Sequence, residues 1–165
     1  MKQLKLPQWA AIAEIIGTIA VIVSLVFVGI SINRSTDETR ANQTNVLYET
    51  ARQIELVVAA DPEWSRIVVQ GRSGVREFND VEQYRYEAYL IAVLDLWDET
   101  LDRYEDGLIS VNMVEGWEFY FTEWTKRYVT DYDWQRIKWS YGSGRMDRVP
   151  SILSDKRHDI SKKAE

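Results

Sequence analysis

From Trp9 to Ile32 the chain carries one ionisable residue, Glu14, among thirteen Val, Ile, Leu or Phe. At about 1.5 Å per residue, a helix over this stretch is roughly 36 Å long, enough to cross a hydrocarbon core of about 30 Å with some tilt. Its apolar side chains, at about −0.3 to −0.6 kcal/mol each, outweigh one carboxylate costing about 3 kcal/mol at the bilayer centre. A cleaved signal peptide has an apolar region of only about 7–15 residues, so the run is too long for that reading. The pattern predicts a transmembrane helix over 9–32 behind a short tail, 1–8. Lys2, Lys5 and Trp9 suit one interface, and Asn33 and Arg34 the other.

Beyond the apolar run the period stays helical. "NRSTDETRANQTN" is polar throughout, and "VLYETARQIELVVAA" then places Leu47, Ala51, Ile54 and Val58 on one stripe. Residues 33–60 are therefore a juxtamembrane helical connector, either continuous with the membrane helix or broken near Asn33–Thr36. In "DPEWSRIVVQG" Asp61 is placed to cap a helix, Pro62 to open it and Gly71 to lie just past its end. A long helix is predicted from about Val81 to Asp106, capped by Asp80 and stopped by Gly107. Its stripe is Leu90, Leu94, Trp97, Leu101, Tyr104 and Leu108. The next, about Val111–Val129, aligns Val114, Trp117, Phe121, Trp124 and Tyr128. A short helix follows Asp131. Pro150 limits helix beyond Gly144, and residues 155–165 form a polar tail. No stretch alternates as a strand would. The expectation is all-α: an N-terminal transmembrane helix followed by a small helical bundle, with an aromatic-rich helical domain over 61–154.

Within the apolar run the small residues are ordered. Ala10, Ala13, Gly17, Ala20, Ser24 and Ser31 are spaced 3, 4, 3, 4 and 7, interrupted only by Phe27. That spacing puts them on one helix face, where a neighbouring backbone can approach closely, and it favours a left-handed crossing. Chance is the competing explanation, since small residues are common in membrane helices. Glu14 lies beside this face. An ionisable group inside a membrane helix is a functional candidate by default, as a proton site, a bond to a partner helix or the lining of an aqueous gap. Its shallow position equally suits a residue reaching the headgroups.

Composition removes several chemistries. A net charge of −6 argues against a nucleic-acid binder. There is no cysteine, and the one histidine, His158, lies in the polar tail. Thiol catalysis, zinc–cysteine sites and serine–histidine triads are thereby excluded. No phosphate-binding glycine loop or nucleophile elbow appears. The acidic series Asp95, Asp98, Glu99, Asp102, Glu105 and Asp106 is the remaining candidate for metal or acid–base work, and a solvated helix face is the simpler reading. The aromatic stripes read as core rather than as a ligand cage or partner groove. Trp64, Trp134 and Trp139 are candidates for subunit contacts or the membrane surface. No catalytic, metal or cofactor-binding residue is expected.

Several ordered motifs carry a resemblance: "SLVFVGISIN" at 24–33, "DPEWSRIVVQG" at 61–71, "YEDGLI" at 104–109, "EGW" at 115–117 and "DWQRIKW" at 133–139. With these the chain resembles a family of uncharacterised bacterial single-pass membrane proteins with an N-terminal membrane helix and a C-terminal helical domain. The stretch "YGSGRMDRVPSIL" departs from the family pattern. The resemblance implies topology and fold, and transfers no catalytic residue. The expectation is a non-enzymatic protein of the bacterial inner membrane, its C-terminal domain cytoplasmic. It would self-associate through the membrane helix and serve as a scaffold, membrane organiser or accessory subunit of a larger complex. The lipid bilayer and further copies of the chain are its expected partners. An oligomeric channel or sensor using Glu14 is the alternative, and a membrane-tethered enzyme using the 95–106 carboxylates a more distant one.

Overall fold

A computed structural model describes residues 6–74, 77–141 and 144–163; side chains 6–8, 10–12, 145 and 156–163 lie outside the described set. The described chain is all-α, with no strand. Its elements are α1 (Leu6–Ala60), α2 (Pro62–Arg72), α3 (Asp80–Glu105), α4 (Val111–Tyr128), α5 (Asp131–Ile137) and α6 (Arg148–Lys163). Single 3₁₀ turns lie at Lys138–Ser140 and Arg145–Asp147. Two compact units divide the chain, Met1–Asn42 and Gln43–Glu165, with the boundary inside α1.

In the first unit α1 passes through Asn33–Thr36 without a break. Thr36 and Thr39 donate their hydroxyls to the carbonyls of Ile32 and Ser35, at 3.0 and 2.8 Å, so these polar residues stay inside the helix instead of capping an end. α1 is the one described helix long and apolar enough to cross a membrane, by length and composition.

The second unit opens with the last part of α1. Asp61, extended ahead of Pro62, ends that helix. Its carboxylate accepts from the N–H groups of Glu63 and Trp64 at 2.8 and 3.3 Å. Ser65 Oγ donates to the Val58 carbonyl at 2.7 Å, satisfying one of the acceptors that a helix end leaves open. Gly71 proves to lie inside α2, which ends at Arg72 with Ser73 as its C-cap. The reason for a glycine there is space. A Cβ at position 71 would clash with Cε2, Cζ and Cδ2 of the Tyr86 ring.

α3 is the axis of the core, burying Tyr86, Tyr89, Leu90, Val93, Leu94, Leu96, Trp97 and Leu101. Its cap is Asn79 rather than Asp80. The Asn79 side chain accepts from the N–H groups of Val81 and Glu82, both at 3.0 Å, and Glu82 accepts from the Asn79 N–H at 2.9 Å. This reciprocal box is complete for Asn79 and Glu82, which is why the helix starts one residue early. At the other end Gly107 takes φ +70°. Its N–H donates to Tyr104 and that of Leu108 to Arg103, a Schellman stop. That stop leaves Tyr104 exposed, and Ile109 is buried beyond the turn.

Trp97 stacks on Phe121 of α4 at 5.7 Å between ring centres, with the rings within 15° of parallel. α5 is capped by Thr130, whose hydroxyl and N–H both donate to the buried Asp133 carboxylate, at 2.7 and 2.8 Å. Pro150 is accommodated in the first turn of α6, where a missing N–H costs no intrahelical bond. The backbone of α6 continues helical through Lys163, well into the stretch read as a polar tail. Its side chains from Lys156 onward, His158 included, lie outside the described residues.

Candidate functional site

The small-residue face lies in the first unit. Ala13, Gly17, Ala20, Ser24 and Ser31 are exposed, as is Glu14; the side chain of Ala10 lies outside the described residues. A Cβ added at Gly17 would meet nothing within 4 Å. Thr18 and Ser24 turn their hydroxyls back onto the carbonyls of Glu14 and Ala20, at 2.9 and 2.8 Å, so these polar groups are satisfied inside the helix.

The acidic series is not assembled into a metal site: among the described residues no group of three or more acids or histidines is placed to hold an ion. Glu99 instead binds Arg103 at 2.5 Å, and Arg103 also donates to the Gln43 carbonyl at 2.9 Å. Asp95 lies beside Tyr141 on the outer face of α3. Desolvation raises its carboxyl above the ordinary value, and the charge of Asp98 adds to this, while a hydrogen bond from Tyr141 opposes it. The Tyr141 phenol is raised too, by its own burial first and by Asp95 next.

The second unit holds a cleft of about 1050 Å³ between the last part of α1 and helices α2, α3 and α4. α4 runs in the same direction as α1 here. Thr44 Oγ1 reaches Met113 Sδ at 3.4 Å, and four residues on, Tyr48 meets Trp117 edge-to-face at 5.4 Å. These contacts link the two helices through side chains. The gap is walled by Trp117, Tyr120, Phe121 and Trp124 on one side and by Ala51, Ile54 and Val58 on the other.

Polar groups also line the cleft, and one cluster centres on Arg72. Arg72, at the end of α2, donates to the Tyr89 hydroxyl and holds its guanidinium 4.5 Å from the centre of the Tyr128 ring. Tyr120 stands near both Arg72 and Glu55. Desolvation raises its phenol, Tyr89 and Glu55 add to this, and Arg72 opposes it, so it is a neutral donor at physiological pH. Arg52 and Glu55 of α1 complete the charged lining.

The sequence pattern brought Trp117, Phe121 and Trp124 to one face and assigned that face to the core. Phe121 and Trp124 are buried, while Trp117 is only partly covered and borders the cleft. Arg72, Tyr48, Tyr120 and Gly116 were not singled out as site residues. The signal available for Gly116 was a glycine in a helix interior, where it costs about 1 kcal/mol relative to alanine. Of the three tryptophans considered for surface roles, Trp134 is buried, Trp64 is partly covered and Trp139 is 79% exposed.

The class defined by these features is an all-α domain with an aromatic cleft, in a chain that also carries a helix able to span a bilayer. No family model, no curated protein and no solved structure matches the chain.

Proposed function

We propose that the chain is a non-enzymatic, single-pass protein of the bacterial inner membrane that self-associates through its membrane helix. The carrying observation is the exposure of the apolar stretch: Ile15, Ile16, Ile19, Val21, Ile22 and their successors to Ile32 are about half or more exposed. Leaving so much aliphatic surface in water opposes solubility at about 25 cal/mol per Å², and lipid removes that penalty. Lipid does not by itself select a helix partner. The face Ala10, Ala13, Gly17, Ala20, Ser24 and Ser31 supplies the selection by letting backbones approach, and closed cyclic symmetry is the default for copies of one chain. The helical domain of residues 61–154 is then presented in several copies, as a scaffold or as an accessory part of a larger membrane complex. A short N-terminal tail crosses a membrane readily, which favours a cytoplasmic C-terminal domain.

Gly17→Leu with Ala20→Leu tests this reading. The space around position 17 is open within the chain, so the added bulk leaves a single copy undisturbed. Native mass in mild detergent should fall from oligomer to monomer. An unchanged mass would remove the small-residue face from the assembly.

A further inference from the structure

The aromatic cleft of the helical domain has three properties that converge on one kind of occupant. The first is size and lining. A cleft of about 1050 Å³ is at the upper end of the range of small-molecule sites, about 300–1,000 Å³, which are mostly apolar with a few placed polar groups.

The second is charge. The chain as a whole is acidic, at −6, yet the charged lining of the cleft is Arg52, Arg72 and Glu55, a positive balance. Arg66, Arg103, Arg136 and Arg148 each pair with a carboxylate. Arg72 has no such partner among the described residues. Its guanidinium is instead fixed by the Tyr89 hydroxyl and the Tyr128 ring. A guanidinium has five N–H donors in a rigid fork matched to carboxylate and phosphate. Tyr89 accepts from one nitrogen, Nη2, and the fork is held in place at the edge of an aromatic wall.

The third is the wall itself. Gly116 lies in the interior of α4 and lines the cleft, and a Cβ there would meet nothing within 4 Å. No packing among the described residues explains a glycine at this point, although it weakens the helix. A bare backbone facing an open cleft is what close approach of a ligand would use.

We propose that this cleft binds a small amphipathic anion, its apolar or aryl body against Trp117, Tyr120 and the Gly116 backbone, and its carboxylate or phosphate on Arg72. Body and head are recognised separately, which makes the two contributions separable by experiment.

The test uses the full chain in lipid nanodiscs, with empty nanodiscs as the blank, and isothermal titration calorimetry. The probes are 1-naphthylacetate, its neutral isostere 1-naphthylacetamide, and 1-naphthyl phosphate. Saturable one-site binding of an anionic probe is expected, about tenfold or more tighter than the amide, the size of one charge-assisted contact. Tighter binding of the acetate assigns a carboxylate head, and tighter binding of the phosphate a phosphate head. Arg72→Gln should bring the anions to the level of the amide and leave the amide unchanged, which also reports that the cleft is intact. Gly116→Leu should abolish binding of every probe while the urea midpoint holds or rises, since leucine is a better helix former than glycine. Absence of saturable binding at millimolar probe, equal affinity for acid and amide, or indifference to Arg72→Gln would each overturn the proposal.

Discussion

Gly71→Ala separates two reasons for a glycine near a helix end. Were Gly71 a left-handed cap, alanine would cost about 1 kcal/mol of backbone strain. It is instead a regular residue of α2, not among the positive-φ glycines. The obstacle is Tyr86, fully buried, whose Cε2, Cζ and Cδ2 occupy the place of the new methyl. To recover an ordinary carbon contact of about 3.5 Å, the ring must retreat by roughly an ångström or more. It cannot do so without disturbing Phe78 and Tyr89, whose ring centres lie 5.6 and 6.3 Å away. The Tyr86 hydroxyl also donates to the Tyr128 carbonyl at 3.2 Å, a bond worth about 1 kcal/mol that the shift would weaken.

Overpacking of this kind costs about 1–3 kcal/mol, and alanine returns up to about 1 through helix propensity. The weakened Tyr86 bond offsets that return, so the expected net loss is about 1–3 kcal/mol, read as a lower urea midpoint by tryptophan fluorescence of the full chain in mild detergent. In a Tyr86→Leu background the obstacle is gone, so Gly71→Ala should be neutral or stabilising there, with a coupling of about 1 kcal/mol or more. An unchanged or raised midpoint in the single variant, or equal losses in both backgrounds, would refute the packing explanation.

Three further outcomes use the same unfolding assay. Gly116→Ala should stabilise by about 0.5–1 kcal/mol, because the helix gains propensity and the methyl meets nothing; a loss would show that the backbone at 116 is under a constraint from elsewhere in the chain. Asn79→Ala should cost about 1 kcal/mol, since two N–H groups lose their acceptor, and Asp80→Ala should cost much less. Acid titration should separate two carboxylates. Glu82 is held below its usual 4.5 by the Asn79 N–H first and Arg66 second, so the unfolded chain binds the extra proton. Its contribution is present above the unfolded value and lost as pH falls, and Glu82→Gln should flatten the acid limb. Asp95 is raised above 3.8, so the folded chain binds the extra proton and stability declines as pH rises through that range. Asp95→Asn should gain a little at neutral pH, and the gain should vanish in acid. Midpoints measured across the acid range in both variants decide the signs.

Which side chains face inward was legible wherever a period of 3.6 decides it. Leu47 with Ala51, Ile54 and Val58, and Leu90 with Leu94, Trp97 and Leu101, do lie against the core. Local chemistry was legible less completely. "DPEW" contains its whole cap within four residues, whereas "NDVEQ" offers two adjacent capping residues, each with a Glu or Gln three positions on. The choice between them is settled by which box closes, and in the fold Asn79 and Glu82 bond reciprocally. Gly71 reads as a stop signal from its neighbours, and its cause, Tyr86, is fifteen residues away.

The cleft belongs to a different order of information. A helical stripe says which residues face a neighbour, but not how far away that neighbour stands. Gly116 would allow α1 to lie almost on the backbone of α4, as small residues do where helices cross closely. The edge-to-face pair of Tyr48 and Trp117 prevents this, because two aromatic side chains at 5.4 Å between centres prop the helices apart. One position away from that prop, the missing Cβ of Gly116 faces empty space. The spacer and the gap come from opposite choices of residue size on adjacent positions of one helix, Gly116 and Trp117. Removing the spacer should close the cleft: with Tyr48→Ala, α1 is free to settle toward α4, and a site that needs the gap should lose its ligand though Arg52, Glu55, Arg72 and Tyr120 are unchanged.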